Sequence, residues 1–387
     1  MISILAVIYV VFISLGLPDS MFGASWPVIH LDFGVEQSFA SIYSIITGVC
    51  TGGAGFVAGK VIRKFGTPTV TFVSTLLTAM GLIGISISPN IWIMMIFTVM
   101  MGYGAGAIDT ALNNYISLHY EARHMSWLHC FWGVGVTISP IIMSFFLTDG
   151  NSWRNGYRVV ALMQFSIAMF VALFLKKWKK HDTGTNENDD TAKAPDKSLM
   201  QILKFKGIKT SILSLGLYCS MEFLLGTWGA TYLVNTYGEN PEAAARWVSL
   251  YFGGIMVGRL ISGFVSIKVK DNNLIRCGIA FALIGIIILA LPLGNKSAVG
   301  LLLIGAGFGP IFPSVLHSIP ERFGSDYSAD ITGYHMAGAY SLGFLVQLSF
   351  GYIATWTTFK ITPFILMGLI TLLLITNEYT INKIKKR

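Results

Sequence analysis

Within Met101 to His119, MGYGAGAIDTALNNYISLH, an apolar, glycine-stepped stretch carries Asp109, Asn113 and Asn114. Asp109 and Asn113 are four residues apart, so a helix puts a titratable carboxylate and a two-way hydrogen-bonding amide on one face. Such a pair can take up a proton and bind a hydroxyl-rich molecule. An ionisable side chain at bilayer depth costs at least ~2.5 kcal/mol on insertion scales, so it usually faces a protein interior or a water-filled path. The competing role for Asp109 is an acid buried against a partner to fix packing.

Other groups of this kind are few. Asp19 stands in Leu15-Gly16-Leu17-Pro18-Asp19, where Gly16 and Pro18 loosen the helix. Freed backbone groups at membrane depth are tolerated where they line a cavity. A carboxylate withdrawn from water takes up a proton more readily than one in it, which makes Asp19, Asp109 and Glu222 candidates for proton coupling. Packing or capping is the alternative for each. His129 and His335 can relay protons or bond a hydroxyl, and lone membrane histidines are also common packing groups. Arg259 is the basic residue well inside an apolar run; it either neutralises an acid such as Glu222 or snorkels to the interface. Trp132 and Trp228 offer flat apolar platforms for a ring, with ordinary packing as the alternative. The candidate binding set is therefore Asp109, Asn113, His129, Trp132, Glu222, Trp228 and His335. HExxH and HxxxH spacings are missing, and the glycine steps lack the Lys-Ser/Thr of a phosphate loop, so no metal and no cofactor is expected.

The elements that position these groups are membrane spans. The chain is 53% hydrophobic and 12% charged, whereas soluble domains carry about 25% charged residues. Apolar runs long enough for a ~30 Å hydrocarbon core recur throughout. Twelve spans are predicted near 2–29, 38–60, 67–88, 90–117, 125–148, 156–176, 208–235, 244–267, 273–293, 297–318, 330–355 and 358–380. The net charge of +8 does not call for nucleic acid, because the basic residues gather at alternate span ends. That bias places both termini on the cytoplasmic side of the plasma (inner) membrane. The chain start lacks a basic signal-peptide leader and reads as a retained first span. Cys50, Cys130, Cys219 and Cys277 are scattered singly and read as free, packed thiols. Trp26, Trp92, Trp153, Trp247 and Trp356 fall near span ends, as in an interfacial belt.

The spans divide into a six-helix half at 1–176, a polar cytoplasmic linker at 177–207 and a second six-helix half at 208–387 with a short basic tail. Gly102, Gly104, Gly106 and Ile108 recur as Gly305, Gly307, Gly309 and Ile311, and at the same offset of 203 residues Asp19 meets Glu222. His129 and His335 stand close to that offset. Internal duplication of this kind marks secondary transporters, whose solute site lies near the midplane between repeats. The glycines are read as surfaces for close helix packing.

These features, over essentially the full length, resemble the major facilitator superfamily. Asp109-Thr110-Ala111-Leu112-Asn113 resembles the acid-Thr-x-x-Asn motif of its fucose/glucose proton-symporter branch. Leu128-His129-Cys130-Phe131-Trp132-Gly133, Gly258-Arg259-Leu260 and Ile311-Phe312-Pro313 are similar to sugar-transporter-like members. The branch often has Glu, Gln and Asn where this chain has Asp109, His129 and Trp132. The superfamily's loop motif appears as Gly59-Lys60-Val61-Ile62-Arg63-Lys64-Phe65-Gly66, with Arg63 at the place of its Asp. The resemblance implies an all-α integral membrane fold of two pseudo-symmetric bundles, with an acid in the first helix carrying or gating a proton.

The expected activity is proton-coupled transport of a small hydrophilic solute, a monosaccharide, by alternating access, with sodium left open as coupling ion. The expected partners are that solute and the lipid bilayer, and the expected state is a monomer. Two alternatives remain: a proton-driven drug or metabolite exporter, compatible with 16 Met and 26 Phe, and a non-transporting receptor or sensor. An enzyme is not expected, since nucleophile–base, metal and phosphate-loop patterns are missing.

Overall fold

The computed structural model describes residues 2–120, 122–148, 152–182, 199–291, 293–324 and 328–385. Among them every regular element is helical. In chain order these are α1 (Ile2–Asp19), α2 (Met21–Asp32), α3 (Phe39–Phe65), α4 (Thr67–Ile87), α5 (Ile91–His119), α6 (Ala122–Ser144), α7 (Trp153–Asp182) and α8 (Leu199–Ile202). There follow α9 (Ile208–Tyr237), α10 (Pro241–Val265), α11 (Asp271–Ala290), α12 (Val299–Phe308), α13 (Ile311–His317), α14 (Ile319–Phe323), α15 (Ser328–Trp356) and α16 (Thr362–Lys385). Among the described residues, eleven stretches are long and apolar enough to cross a membrane, and α3 adds a shorter apolar piece, Phe39–Ala54. Together they occupy the twelve predicted spans, and the fold is the all-α membrane architecture expected.

Two spans are broken, each for a local reason. The first splits at Ser20, just after Pro18, whose ring removes an N–H from the helical ladder. Asp19 is thereby left at the last position of α1. The tenth splits at Gly309-Pro310, between α12 and α13. Elsewhere the joints are ordinary: Gly66, with φ of 78°, turns α3 into α4, with Pro68 following in the first turn of α4. The Asn90 side chain caps α5 by accepting from the Ile93 N–H at 3.0 Å.

The chain forms two compact units. One comprises Met1–Asp189 with Gly229–Val234 and Gly238–Ser249; the other comprises Asp190–Trp228, Asn235–Tyr237 and Leu250–Arg387. In the first, a Cβ placed on Gly106 would stand 2.4 Å from the Thr51 carbonyl oxygen of α3, and one on Gly104 2.8 Å from the Ser74 oxygen of α4. In the second, a Cβ on Gly309 would stand 2.4 Å from the Gly258 backbone of α10, and one on Gly307 2.5 Å from the Gly278 oxygen of α11. Alternate glycines thus seat the fourth span on the second and third, and the tenth on the eighth and ninth. The repeated sequence pattern is one packing solution used twice.

Some boundaries differ from expectation. Helix α7 runs on beyond Lys176 to Asp182, and Trp178 is fully buried, edge-on to Tyr115 with ring centroids 5.5 Å apart. Residues 183–198 of the expected linker lie outside the described residues. Its end is packed: Ile202 and Ile208 are buried with Ile319, Phe323 and Ile331. Trp26, expected in an interfacial belt, is wholly buried, and its indole donates to the Gln37 carbonyl at 2.9 Å. Trp92 and Trp356 are exposed as a belt requires. Cys50 and Cys219 are buried free thiols, whereas Cys277 is exposed. The side chains of Lys60, Arg63 and Asn114 are not among those described.

Candidate functional site

In the first unit, α1 and α6 pack backbone against backbone. A Cβ on Gly16 would meet the Trp132 carbonyl oxygen at 2.3 Å, and one on Gly135 the Ile13 carbonyl oxygen at 2.1 Å. No side chain fits between the helices there, so groups flanking the contact are brought into register. On one side Trp132 Nε1–H donates to Asp19 Oδ2 at 2.7 Å. On the other, Ser20 Oγ–H donates to the Val136 carbonyl at 2.8 Å. Asp19 is exposed and Trp132 half-buried. Tyr43, buried on α3, lies within electrostatic reach of Asp19.

Towards the start of α1 the same interface carries ring contacts and one more hydrogen bond. His129, half-buried, is met edge-on by Phe12, with centroids 5.9 Å apart. The Tyr9 hydroxyl lies 2.8 Å from His124 Nδ1, and the Tyr9 ring stacks on Phe131 at 4.6 Å.

On α5 the four-residue spacing is realised as a bond. Asn113 Nδ2–H donates to Asp109 Oδ1 at 2.7 Å and to the Asp109 carbonyl at 3.0 Å. Both side chains are half-buried. The contact occupies the amide's donors and, among the described residues, leaves Asn113 Oδ1 as an acceptor and the second carboxylate oxygen of Asp109 open to further chemistry.

The second unit treats its acid differently. Glu222 is 7% exposed, and Arg259 Nη2 lies 3.5 Å from its Oε1. Tyr218, Tyr251 and Cys219 surround the pair closely enough to interact electrostatically with both charges. The Tyr251 hydroxyl donates to the Glu222 carbonyl at 3.4 Å. The Tyr218 hydroxyl is buried and has no hydrogen-bond partner among the described residues. Arg259, for which the sequence leaves pairing with Glu222 and snorkelling both open, lies beside Glu222.

Two candidates sit apart from such surroundings. His335 is wholly buried. Its Nδ1 lies 2.8 Å from the Ile331 carbonyl, which can only accept, so Nδ1 carries the proton and Nε2 accepts from Ser211 Oγ–H at 2.8 Å. Trp228 is likewise 0% exposed, packed against Phe350 and Phe359 with centroids at 5.9 and 5.7 Å. It presents no ring face to a solute here, contrary to the platform role its proximity to Glu222 in sequence suggests; helical spacing alone does not reveal which way a bulky ring is buried. Tyr9, Tyr43, Tyr218 and Tyr251 escape sequence reading because tyrosines are frequent in these spans. Among the described residues no three His, Cys, Asp or Glu side chains are grouped to hold a metal ion.

A family model described as Major Facilitator Superfamily matches residues 8–348. Over 332 residues the chain is 24% identical to the glucose/mannose transporter GlcP of Bacillus subtilis (strain 168), covering 82% of this chain and 80% of that protein. A crystal structure of the nucleoside transporter NupG superposes with a TM-score of 0.75 at 12% identity, covering 97% of this chain and 98% of that one. One of a D-xylose-proton symporter superposes with a TM-score of 0.71 at 14% identity, covering 96% and 97%. At these identities the two structures speak for the fold.

Proposed function

The chain belongs to the Major Facilitator Superfamily, and we propose that it moves a monosaccharide across the plasma membrane together with a proton, exposing its solute site alternately to the two sides. As a member it is a membrane transporter, not an enzyme. The observation that carries the finer reading is the Asp109–Asn113 contact at 2.7 Å within a span. A carboxylate and an amide so joined can present acceptors to neighbouring sugar hydroxyls, and the carboxylate can carry a proton in the same cycle. The name of the relative GlcP, a glucose/mannose transporter, supports a hexose, and the fold shared with a D-xylose-proton symporter is consistent with a proton as coupling ion.

In this scheme Asp19 and Asp109 share proton carriage, with Trp132, bonded to Asp19, and His129, one turn earlier on α6, as solute contacts. Glu222, paired with Arg259 at 3.5 Å, is held as an acceptor that can bond a hydroxyl. Both termini face the cytoplasm in this reading, which the distribution of Lys and Arg supports.

A thermal-shift screen of the purified protein against sugars, sugar acids and nucleosides, at two pH values, tests the assignment, because a ligand that binds the native state raises its unfolding temperature. A hexose that stabilises the protein pH-dependently, and loses that dependence in Asp109→Asn, is the expected result. Stabilisation by nucleosides or apolar drugs alone would move the assignment to another solute class.

A further inference from the structure

We propose that Trp132 is the positioning residue of Asp19, its indole N–H holding the carboxylate while charged and loosening when a proton neutralises it, so that the ring signals the acid's protonation state. This rests on the proton-coupled reading above and names the residue that regulates the same site.

The geometry has three parts. The bond from Trp132 Nε1 to Asp19 Oδ2 is 2.7 Å long, in the range of charge-assisted hydrogen bonds, which are roughly twice as strong as neutral ones. Neutralising the acceptor therefore weakens it substantially. Next, the backbones beneath cannot yield: Gly16 and Gly135 interlock, and Ser20 Oγ bonds the Val136 carbonyl at 2.8 Å. A change in the Asp19 bond is thus taken up by side-chain rotation. Finally, Asp19 is exposed and Trp132 only half-buried, so a proton has access and the ring has room. His129, three residues earlier on α6, shares that helix face, and a turned indole changes the surroundings of a second candidate solute contact.

Other titratable groups on the packed elements are accounted for. Of the helices packed against α1, α4 carries none. α2 carries His30 and Asp32 near its far end, and Asp32 is paired with Arg154. α5 carries Asp109, bonded to Asn113, with Tyr103, Tyr115 and His119. α7 carries Tyr157, Arg154 and Arg158 in its first turns, with Lys176, Lys177, Lys179, Lys180, His181 and Asp182 at its other end. α6 carries Arg123, His124, His129 and Cys130. Tyr43 approaches Asp19 from α3. Tyrosine, arginine and lysine hold their protonation between pH 5 and 8, which leaves the histidines His30, His119, His124, His129 and His181, with Cys130 and Asp109, as the groups the variants must separate from Asp19.

The test is the tryptophan emission of the purified protein between pH 5 and 8, with the spectrum of Trp132→Phe subtracted to remove the other eight of the nine tryptophans. A pH-dependent step in the difference is expected, and it should vanish in Asp19→Asn. In proteoliposomes, the pH of half-maximal uptake in Trp132→Phe should lie above the wild-type value by roughly 0.5–1 unit, because a carboxylate without its donor is protonated more easily. A step that persists in Asp19→Asn, or that follows His129→Gln instead, would overturn the proposal, as would superimposable uptake profiles where wild-type uptake itself depends on pH. An Asp19-dependent step in a protein whose uptake ignores pH would leave the sensing contact standing and remove the proton-coupled reading. The emission arm on wild type and Asp19→Asn keeps the test decisive even where Trp132→Phe folds poorly.

Discussion

Arg259 Nη2 stands 3.5 Å from Glu222 Oε1, with the two side chains 11% and 9% exposed. Two opposite charges withdrawn together from solvent are each other's main compensation, since an isolated ion in such a place is strongly disfavoured. The acid at the repeat-related place in the first unit, Asp19, has an indole N–H for its partner instead. The duplicated scaffold thus pairs one acid with a guanidinium and bonds the other to an indole.

The buried pair has a direct energetic consequence. Arg259→Met leaves the Glu222 charge uncompensated and is expected to destabilise the protein by ~3–5 kcal/mol. Glu222→Gln combined with Arg259→Met should recover most of that loss. Unfolding of the four proteins of this cycle in detergent measures the coupling. Single-variant losses that simply add would mean the two side chains do not act as a pair.

The glycine interlock can be probed by methyl groups alone. Gly16→Ala and Gly135→Ala place a Cβ within 2.3 and 2.1 Å of opposing backbone oxygens, an overpacking that costs roughly 1–3 kcal/mol or more. Gly52→Ala, which meets nothing within 4 Å, is the matched control and should leave stability unchanged or slightly raised, as expected when alanine replaces glycine in a helix. Unfolding temperatures in detergent distinguish the two sites.

Asp109→Asn keeps a side-chain oxygen for the Asn113 amide to bond and removes the titratable charge. Uptake driven by a pH gradient should fall by at least about tenfold, the equivalent of ~1.4 kcal/mol, while exchange of labelled for unlabelled solute at equal pH persists. Equal loss of both activities would make Asp109 a binding residue without a coupling role.

His335 is expected to matter for stability alone. His335→Phe strands the buried Ser211 hydroxyl and should cost ~1–3 kcal/mol, with the pH profile of uptake unmoved in the folded fraction. A shifted profile would return His335 to the solute or proton path.

What the sequence revealed depended on range. The Asp109–Asn113 contact is legible because a helix brings residues four apart together. The repeated glycines are legible because small residues at matching offsets have one economical use in a membrane helix, close packing. Charge and depth made Glu222–Arg259 a possibility but could not choose it over snorkelling. The Asp19–Trp132 bond joins residues 113 apart, and no local pattern announces it; only the Gly16–Gly135 approach creates it. Trp26, Trp178 and Trp228 were hidden for the opposite reason. A tryptophan near a span end or among lysines suits an interface as well as a core, and only packing with Gln37, Tyr115 or Phe350 decides.

The most direct test is uptake of radiolabelled glucose by proteoliposomes containing the purified protein, with an imposed pH gradient, acid outside. Accumulation above the equilibrium level that collapses when an ionophore dissipates the gradient, and that is lost in Asp109→Asn, is the predicted result. Glucose entry that reaches only equilibrium and is indifferent to the ionophore would contradict proton-coupled sugar transport.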